Sequence, residues 1–249
     1  MTEDISDVLN RWPFDPEKSI RQIEGLDGKA KLQVRLPLGI EQYEMAGRPD
    51  GKRPNGFESL LDYYERALDQ YRRAEGGDVG FSLSSDECRT LQEEGVLYYY
   101  RYLLCYQLGE YDLVKRDTER NMRLFRFVAR YAANDEDKKS FQQYWPYIIR
   151  MRATAEALQA LGHGDRNTAA KLLQKARDEI NSLPEVDTPL FANERERSLA
   201  VLEETLGNIE KTKPVSEKYH LQKLLEKAVA NENYEQAAKL RDIITRMKD

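Results

Sequence analysis

The sequence is poor in the residues that carry most side-chain chemistry. Among 249 residues there are two cysteines, Cys88 and Cys105, and two histidines, His163 and His220. Neither histidine sits beside a cysteine, so the spacing of a zinc site is missing. Two isolated cysteines read as ordinary thiols of a reducing compartment. No apolar run approaches the roughly 20 residues that a membrane span needs. The start, Met1-Thr2-Glu3-Asp4-Ile5, lacks the basic and apolar stretches of a signal peptide. The expectation is a cytoplasmic protein. Net charge is −5, which argues against a generally basic nucleic-acid binder and leaves room for a local basic patch. Gly-x-Ser-x-Gly, His-Glu-x-x-His and the dinucleotide fingerprint are absent, so no catalytic, cofactor or metal residue is nominated.

What is present is enough apolar sequence for a core: 40% hydrophobic against 33% charged residues. Residues 1–56 differ from the rest. Trp12-Pro13-Phe14-Asp15-Pro16 breaks any early helix. Asp27-Gly28 is a two-residue hairpin signal. After it Leu32, Val34, Leu36, Leu38 and Ile40 alternate with Lys31, Gln33, Arg35, Pro37 and Gly39, which predicts a strand with one buried face. Pro37 marks an edge strand or the strand's end. Glycines and prolines between Gly47 and Gly56 exclude regular structure there. A small β element and an ordered loop are expected.

From Phe57 the period becomes helical. Phe57, Leu60, Leu61, Tyr64, Leu68 and Tyr71 form one stripe, ending near Gly76-Gly77. Ser84 to Glu87 can cap a helix reaching Leu108-Gly109. Another runs from about Glu110 to Ala132. Asn134 to Asp137 opens the next segment, where Pro146 must kink it or begin a new helix. Helices follow to Leu161, from Arg166 to Ser182, and from Phe191 to Lys211. Lys213-Pro214-Val215-Ser216 reads as a linker. The expected division is 1–56, a helical body over 57–212, and a terminal hairpin over 216–249. The fold class expected is mainly α, with antiparallel helical hairpins, a small N-terminal β element and the C-terminal hairpin.

Three groups stand out on the helices and the loop. Arg116, Arg120, Arg123 and Arg130 recur at helical spacing, a stripe for an acidic peptide, nucleotide or phosphate backbone. The plainer reading is a solvated face paired with Asp112, Asp117 and Glu119. Tyr98, Tyr99, Tyr100, Tyr102 and Tyr106 crowd one helix and point around more than one face. Some of them can line a groove, beside ordinary helix packing. Arg48, Lys52 and Arg53, set among glycines and prolines, can hold an anion, although Gly51-Lys52 lacks the Walker A pattern. The plainer reading there is a loop packed across the helices.

Two resemblances follow. Leu108-Gly109-Glu110-Tyr111-Asp112-Leu113-Val114 and Gly164-Asp165-Arg166-Asn167-Thr168-Ala169 resemble turns of tetratricopeptide repeats, about 55 residues apart instead of 34. The C-terminal segment is more specific. Tyr234-Glu235-Gln236-Ala237-Ala238-Lys239-Leu240-Arg241-Asp242-Ile243-Ile244 follows Leu221, Leu224, Leu225 and Ala228 on one helix face. It resembles the UVR motif of the bacterial excision-repair proteins UvrB and UvrC, with related copies in the adaptor McsA and the chaperone ClpC. That motif is a helical hairpin that docks on proteins and performs no chemistry. The resemblance implies a bacterial, cytoplasmic adaptor or scaffold without cofactor. Its contact residues would be Tyr234, Glu235, Ala237, Ala238, Leu240, Arg241, Asp242 and Ile243. The implied partner is another protein, one carrying a UVR motif or a second copy, and not a membrane. Two rivals stay open. One is a DNA-repair or nucleic-acid accessory protein using Arg116 to Arg130 and the Arg48 to Arg53 loop. The other is an enzyme with a pocket near residues 47–56 holding at least two converging ionisable groups.

Overall fold

The computed structural model describes residues 4–211 together with Leu225 and Arg241. The chain divides into two compact units, residues 1–202 and 203–249. The first is mainly helical, with a small antiparallel sheet near the start of the chain. Of the second, the described residues are the end of one long helix, plus Leu225 and Arg241, both in helical backbone. The expected linker at 213–216 lies outside the described residues.

The short helix α1, Ser6–Arg11, ends before Trp12-Pro13. Three strands follow: β1 Ile20–Glu24, β2 Ala30–Leu36 and β3 Gly39–Glu44, paired antiparallel in that order. Sequence alternation marked one strand across residues 31–40, but the structure cuts it at Leu36. Leu38 is 91% exposed, and Ile40 belongs to β3, paired with Arg35. With neighbours on both sides, β2 is the centre of the sheet, and Pro37 lies just past its end. The first hairpin turns over Gly25 to Lys29, closed by Gly25 N–H donating to the Lys29 carbonyl at 2.7 Å, so the loop is wider than the Asp27-Gly28 pair suggested. Lys31 and Arg35, expected on an exposed face, are buried. Their long stems lie in the sheet and their heads find partners. Lys31 Nζ meets Asp27 and Glu44, while Arg35 Nε donates to the Trp12 carbonyl at 2.7 Å.

The helices are α2 Leu60–Glu75, α3 Ser85–Gln107, α4 Tyr111–Tyr131, α5 Asp135–Gln142, α6 Trp145–Gly162, α7 Arg166–Asn181 and α8 Pro189–Lys211. Their ends follow local chemistry. Ser84 and Glu87 form a reciprocal capping box for α3, and Asn134 and Asp165 cap α5 and α7. Pro146 falls in the first turn of α6, the position where its missing N–H costs least. Gly109 and Gly164, both with positive φ, end α3 and α6 by one pattern. The amides of Glu110 and Asp165 each donate at 2.9 Å to a carbonyl five residues back, Cys105 and Ala160. This double reversal folds α4 back on α3 and α7 back on α6.

In α3 the buried positions 88, 91, 95, 98, 102 and 105 follow alternating steps of three and four, with Glu94 and Arg101 buried beside them. The sheet's inner residues Leu32, Val34 and Tyr43 cluster with Tyr102 and Cys105 of α3, Val114 of α4, and Met151 and Ala155 of α6. Helix α6 is buried nearly all round, which fits its run of Ile, Met and Ala and makes it the central helix of the unit. It packs closely against α7, where Ala169, Leu173, Ala176 and Ile180 are buried. Among the described residues, no helix is long and apolar enough to cross a membrane.

Candidate functional site

Two turns of α3 separate Glu94 and Arg101, so both side chains leave the helix on one flank, beside Tyr98. Opposite them α4 presents Asp117, Arg120 and Asn121. Arg101 is 1% exposed and its guanidinium makes four hydrogen bonds. Nε and Nη2 donate to the two oxygens of Asp117 at 2.6 and 2.8 Å, a bidentate pair. Nη1 donates to the carbonyls of Glu44 and Gly47 at 2.7 and 2.8 Å. One side chain thus fastens α4, the end of β3 and the glycine loop to α3.

Glu94, fully buried, does the same for α2. Its Oε2 accepts the Leu60 amide at 2.7 Å and Arg48 Nη1 at 3.0 Å. Its Oε1 accepts the Leu61 amide at 3.2 Å and Arg120 Nη2. A carboxylate from one helix therefore caps the N-terminus of another, where the open amides and the helix dipole favour negative charge. Burial pushes the Arg120 guanidinium down from its ordinary value, against the pull of Glu94.

Tyr98, Arg101, Asp117 and Arg120 line an open groove of about 790 Å³, together with Gly47 and Glu58, where basic side chains outnumber acidic ones. The arginine stripe runs along it. Arg116 pairs with Asp117 at 2.9 Å, and Arg123 reaches Asp62 and Glu65 of α2 at 2.8 and 3.1 Å. Beyond the groove Arg130 meets Asp78 at 2.6 Å. Arg126 lies over the Trp145 ring, 5.4 Å from its centroid. The stripe is therefore paired, but mostly by other helices: of the three acids read from its own sequence, Asp117 serves it, and Asp112 accepts a hydrogen bond from Gln159 instead. Arg116 and Arg123 keep 40% and 51% of their side chains exposed, leaving donors for an arriving anion.

The loop residues separate. Arg48 joins Arg120 at Glu94 and also meets Asp50 at 2.9 Å. Lys52 and Arg53 are exposed and stand apart from the groove lining. Residues 47–56 contain one 3-10 turn, Pro54–Gly56, where the glycines and prolines suggested no regular structure. The ionisable groups near the loop do converge, and they converge on one another.

The crowded tyrosines also separate. Tyr98 faces the groove, its ring 4.0 Å from the Arg120 guanidinium carbon. Tyr99, Tyr100 and Tyr102 line a different cavity. Tyr106 stacks edge-on to Tyr111 beside the sheet. Burial pushes the thiols of Cys88 and Cys105 up to about 11, which keeps both protonated and unreactive at neutral pH. Sequence reasoning missed Glu94 and Arg101. A Glu and an Arg seven apart on an otherwise apolar helical stripe were the available signal.

Of the expected partner contacts, Arg241 is described, in helical backbone and exposed. Tyr234, Glu235, Ala237, Ala238, Leu240, Asp242 and Ile243 lie outside the described residues. Comparison supplies what geometry does not reach there. No curated protein and no solved structure matches the chain. Residues 220–249 match the family model described as the UvrB/uvrC motif. The chain thus carries, in its C-terminal region, a UVR motif, a kind of module that mediates protein or DNA interactions.

Proposed function

We propose that this protein is a non-catalytic adaptor or scaffold. It divides into an N-terminal β segment and loop over 1–56, a helical body over 57–212 and an interaction hairpin over 216–249. The hairpin engages another protein, either one with its own UVR motif or a second copy of this chain. Tyr234, Glu235, Ala237, Ala238, Leu240, Arg241, Asp242 and Ile243 make or support that contact, through an apolar helix face with charges setting specificity. The observation that carries this reading is the UvrB/uvrC match over residues 220–249. The body, with its internally braced helices, holds the partner at a defined place.

The test compares the full chain with a variant ending at residue 215 and with the charge-reversed pair Arg241→Glu, Asp242→Arg. Association is read by light scattering for self-assembly and by affinity capture for other proteins. Both variants should lose at least one association while the body keeps its melting temperature. Retention of every association by the shortened chain overturns the reading.

A second reading, nucleic-acid association, draws on the exposed parts of Arg116 and Arg123 in a groove where basic side chains predominate. It requires binding that weakens steeply as salt is added. A charge reversal at Arg123 should then lower affinity and flatten the salt dependence.

A further inference from the structure

On the far side of α3 from the charged groove, the helices enclose a second space of about 320 Å³. Its walls are rings. Tyr99, Tyr100 and Tyr102 of α3 face Phe125 of α4, Phe141 of α5, and Tyr144 and Tyr147 at the start of α6. The rings lock edge to face. The centroids of Tyr99 and Tyr102 are 5.5 Å apart, and those of Phe125 and Phe141 are 5.7 Å apart. Tyr100 and Val96, 49% and 42% exposed, form the mouth.

The polar groups in this wall are mostly spent. Asn121 Nδ2 donates to the Gly95 carbonyl at 2.9 Å, and its Oδ1 accepts from Arg120. Ser140 Oγ donates to the Asp137 carbonyl at 2.7 Å. Glu194, from the first turns of α8, is different. Its Oε2 is buried and has no hydrogen-bond partner. The guanidinium of Arg150, which shares the neighbouring Tyr147 ring at 5.0 Å, instead donates to Ser198 Oγ at 3.1 Å.

A buried carboxylate oxygen without a donor is costly, and structures rarely keep one without a use. Aromatic rings carry negative charge on their faces, so a wall built of them favours positive charge over negative. Burial holds the Tyr147 hydroxyl well above its ordinary value, with Tyr99 and Glu194 adding to the effect, so the phenol stays neutral. An anion would be repelled by both carboxylate and rings. A neutral apolar ligand would leave the oxygen unpaired. A cation satisfies both features at once.

We propose that this cavity binds an organic cation: a positively charged nitrogen on a compact apolar body, seated against the tyrosine and phenylalanine rings with its charge facing Glu194. The nitrogen can arrive on a free small molecule or on a lysine-type side chain of a partner. The site is independent of the C-terminal motif, and it stands or falls apart from the adaptor reading.

Calorimetric titration of the full chain decides it. The probes are benzyltrimethylammonium, choline, the Nα-acetyl methylamide of trimethyllysine, and 3,3-dimethylbutan-1-ol, which is choline with carbon in place of charged nitrogen. At least one cation should saturate at one per chain, roughly tenfold or more tighter than the neutral isostere. Glu194→Gln should weaken the cation about tenfold and leave the isostere unchanged. Tyr100→Ala, at the solvent-facing mouth where folding is least at risk, should weaken the cation about threefold to tenfold. Preference for choline or benzyltrimethylammonium assigns the site to a free molecule, and preference for the lysine derivative assigns it to a partner side chain. Both support the proposal. Equal binding of cation and isostere, indifference to Glu194→Gln, or no saturation by any cation up to about 10 mM overturns it. Unchanged melting temperatures of both variants keep these readouts separate from misfolding.

Discussion

Glu94 and Glu194 each bring a carboxylate into the helical unit, one on either side of α3, and they meet opposite conditions. Glu94 is 0% exposed and takes four donors, two backbone amides and two guanidinium groups. Glu194 places Oε2 out of water with none. Around the first, arginines and acids from α2, α3, α4 and the glycine loop pair with one another and every Glu94 oxygen is answered, although the Nε atoms of Arg48, Arg120 and Arg152 make no hydrogen bond. Around the second, aromatic rings leave a space and a carboxylate oxygen without a donor. A carboxylate with four donors braces the elements that supply them, whereas a buried carboxylate oxygen with no donor calls for another explanation. The contrast separates the bracing side of α3 from its open side, although both are lined by neighbouring tyrosines of the same helix.

The sharpest way to break the contrast is to remove Glu94. Glu94→Ala leaves two helix-end amides and two buried guanidinium groups without their acceptor. The expected loss is about 3–5 kcal/mol of folding stability, measured by urea denaturation. A loss under about 1 kcal/mol would show that water replaces the carboxylate and that the groove is not braced as described.

Arg101 sharpens the same side. Arg101→Met should cost about 3 kcal/mol because it leaves Asp117, which is 1% exposed, with the half-exposed Arg116 as its remaining cation. The double change Arg101→Met, Asp117→Leu removes both charges and should recover part of that. Recovery stays incomplete, since the Glu44 and Gly47 carbonyls still lack a donor, which leaves roughly 1–2 kcal/mol. Full recovery would mean the guanidinium's hold on the loop contributes nothing.

How much of this was legible in the sequence depends on the distance over which a residue finds its partner. The capping box at Ser84 and Glu87, Pro146 at the start of α6, and the glycine-ended turns at 109 and 164 act within a few residues, so local pattern gave them. The three strands were harder. Ile20–Glu24 and Gly39–Glu44 are short and half polar, and only the central strand alternates clearly. There Lys31 and Arg35 broke the alternation by burying charged heads against partners from other segments. Glu94 was invisible for the same reason: its four donors come from positions 48, 60, 61 and 120. The arginine stripe finds its partners mostly beyond its own helix: Arg120 on α3, Arg123 on α2 and Arg130 at Asp78 in the segment between them. Glu194 meets its aromatic walls from four separate helices, α3 to α6, and nothing in its own neighbourhood distinguishes it.

A smaller test isolates the local part. Ser84→Ala removes the side-chain oxygen that accepts the Glu87 amide at 3.4 Å, and with it half of the reciprocal cap. About 1 kcal/mol should be lost, with no change in cation binding on the far side of α3. A loss near that of Glu94→Ala would mean the start of α3 governs the charged network as well, and the two sides could not be treated separately.

The smallest expected effect bears hardest on the comparison. Glu194→Gln replaces a carboxylate that has one unpaired buried oxygen with a neutral amide of the same shape. Nothing bonded to Oε2 is lost, and the desolvation of a charge is relieved. Folding stability should stay within about 0.5 kcal/mol or rise slightly. Glu94→Gln, the identical change on the other side, swaps an acceptor oxygen for an NH2 that faces arginine donors and amides, and should cost about 2 kcal/mol or more. The pair of substitutions therefore compares two environments with chemistry held constant. If Glu194→Gln costs as much as Glu94→Gln, the second carboxylate is a structural acceptor like the first, and the two sides of α3 are braced alike.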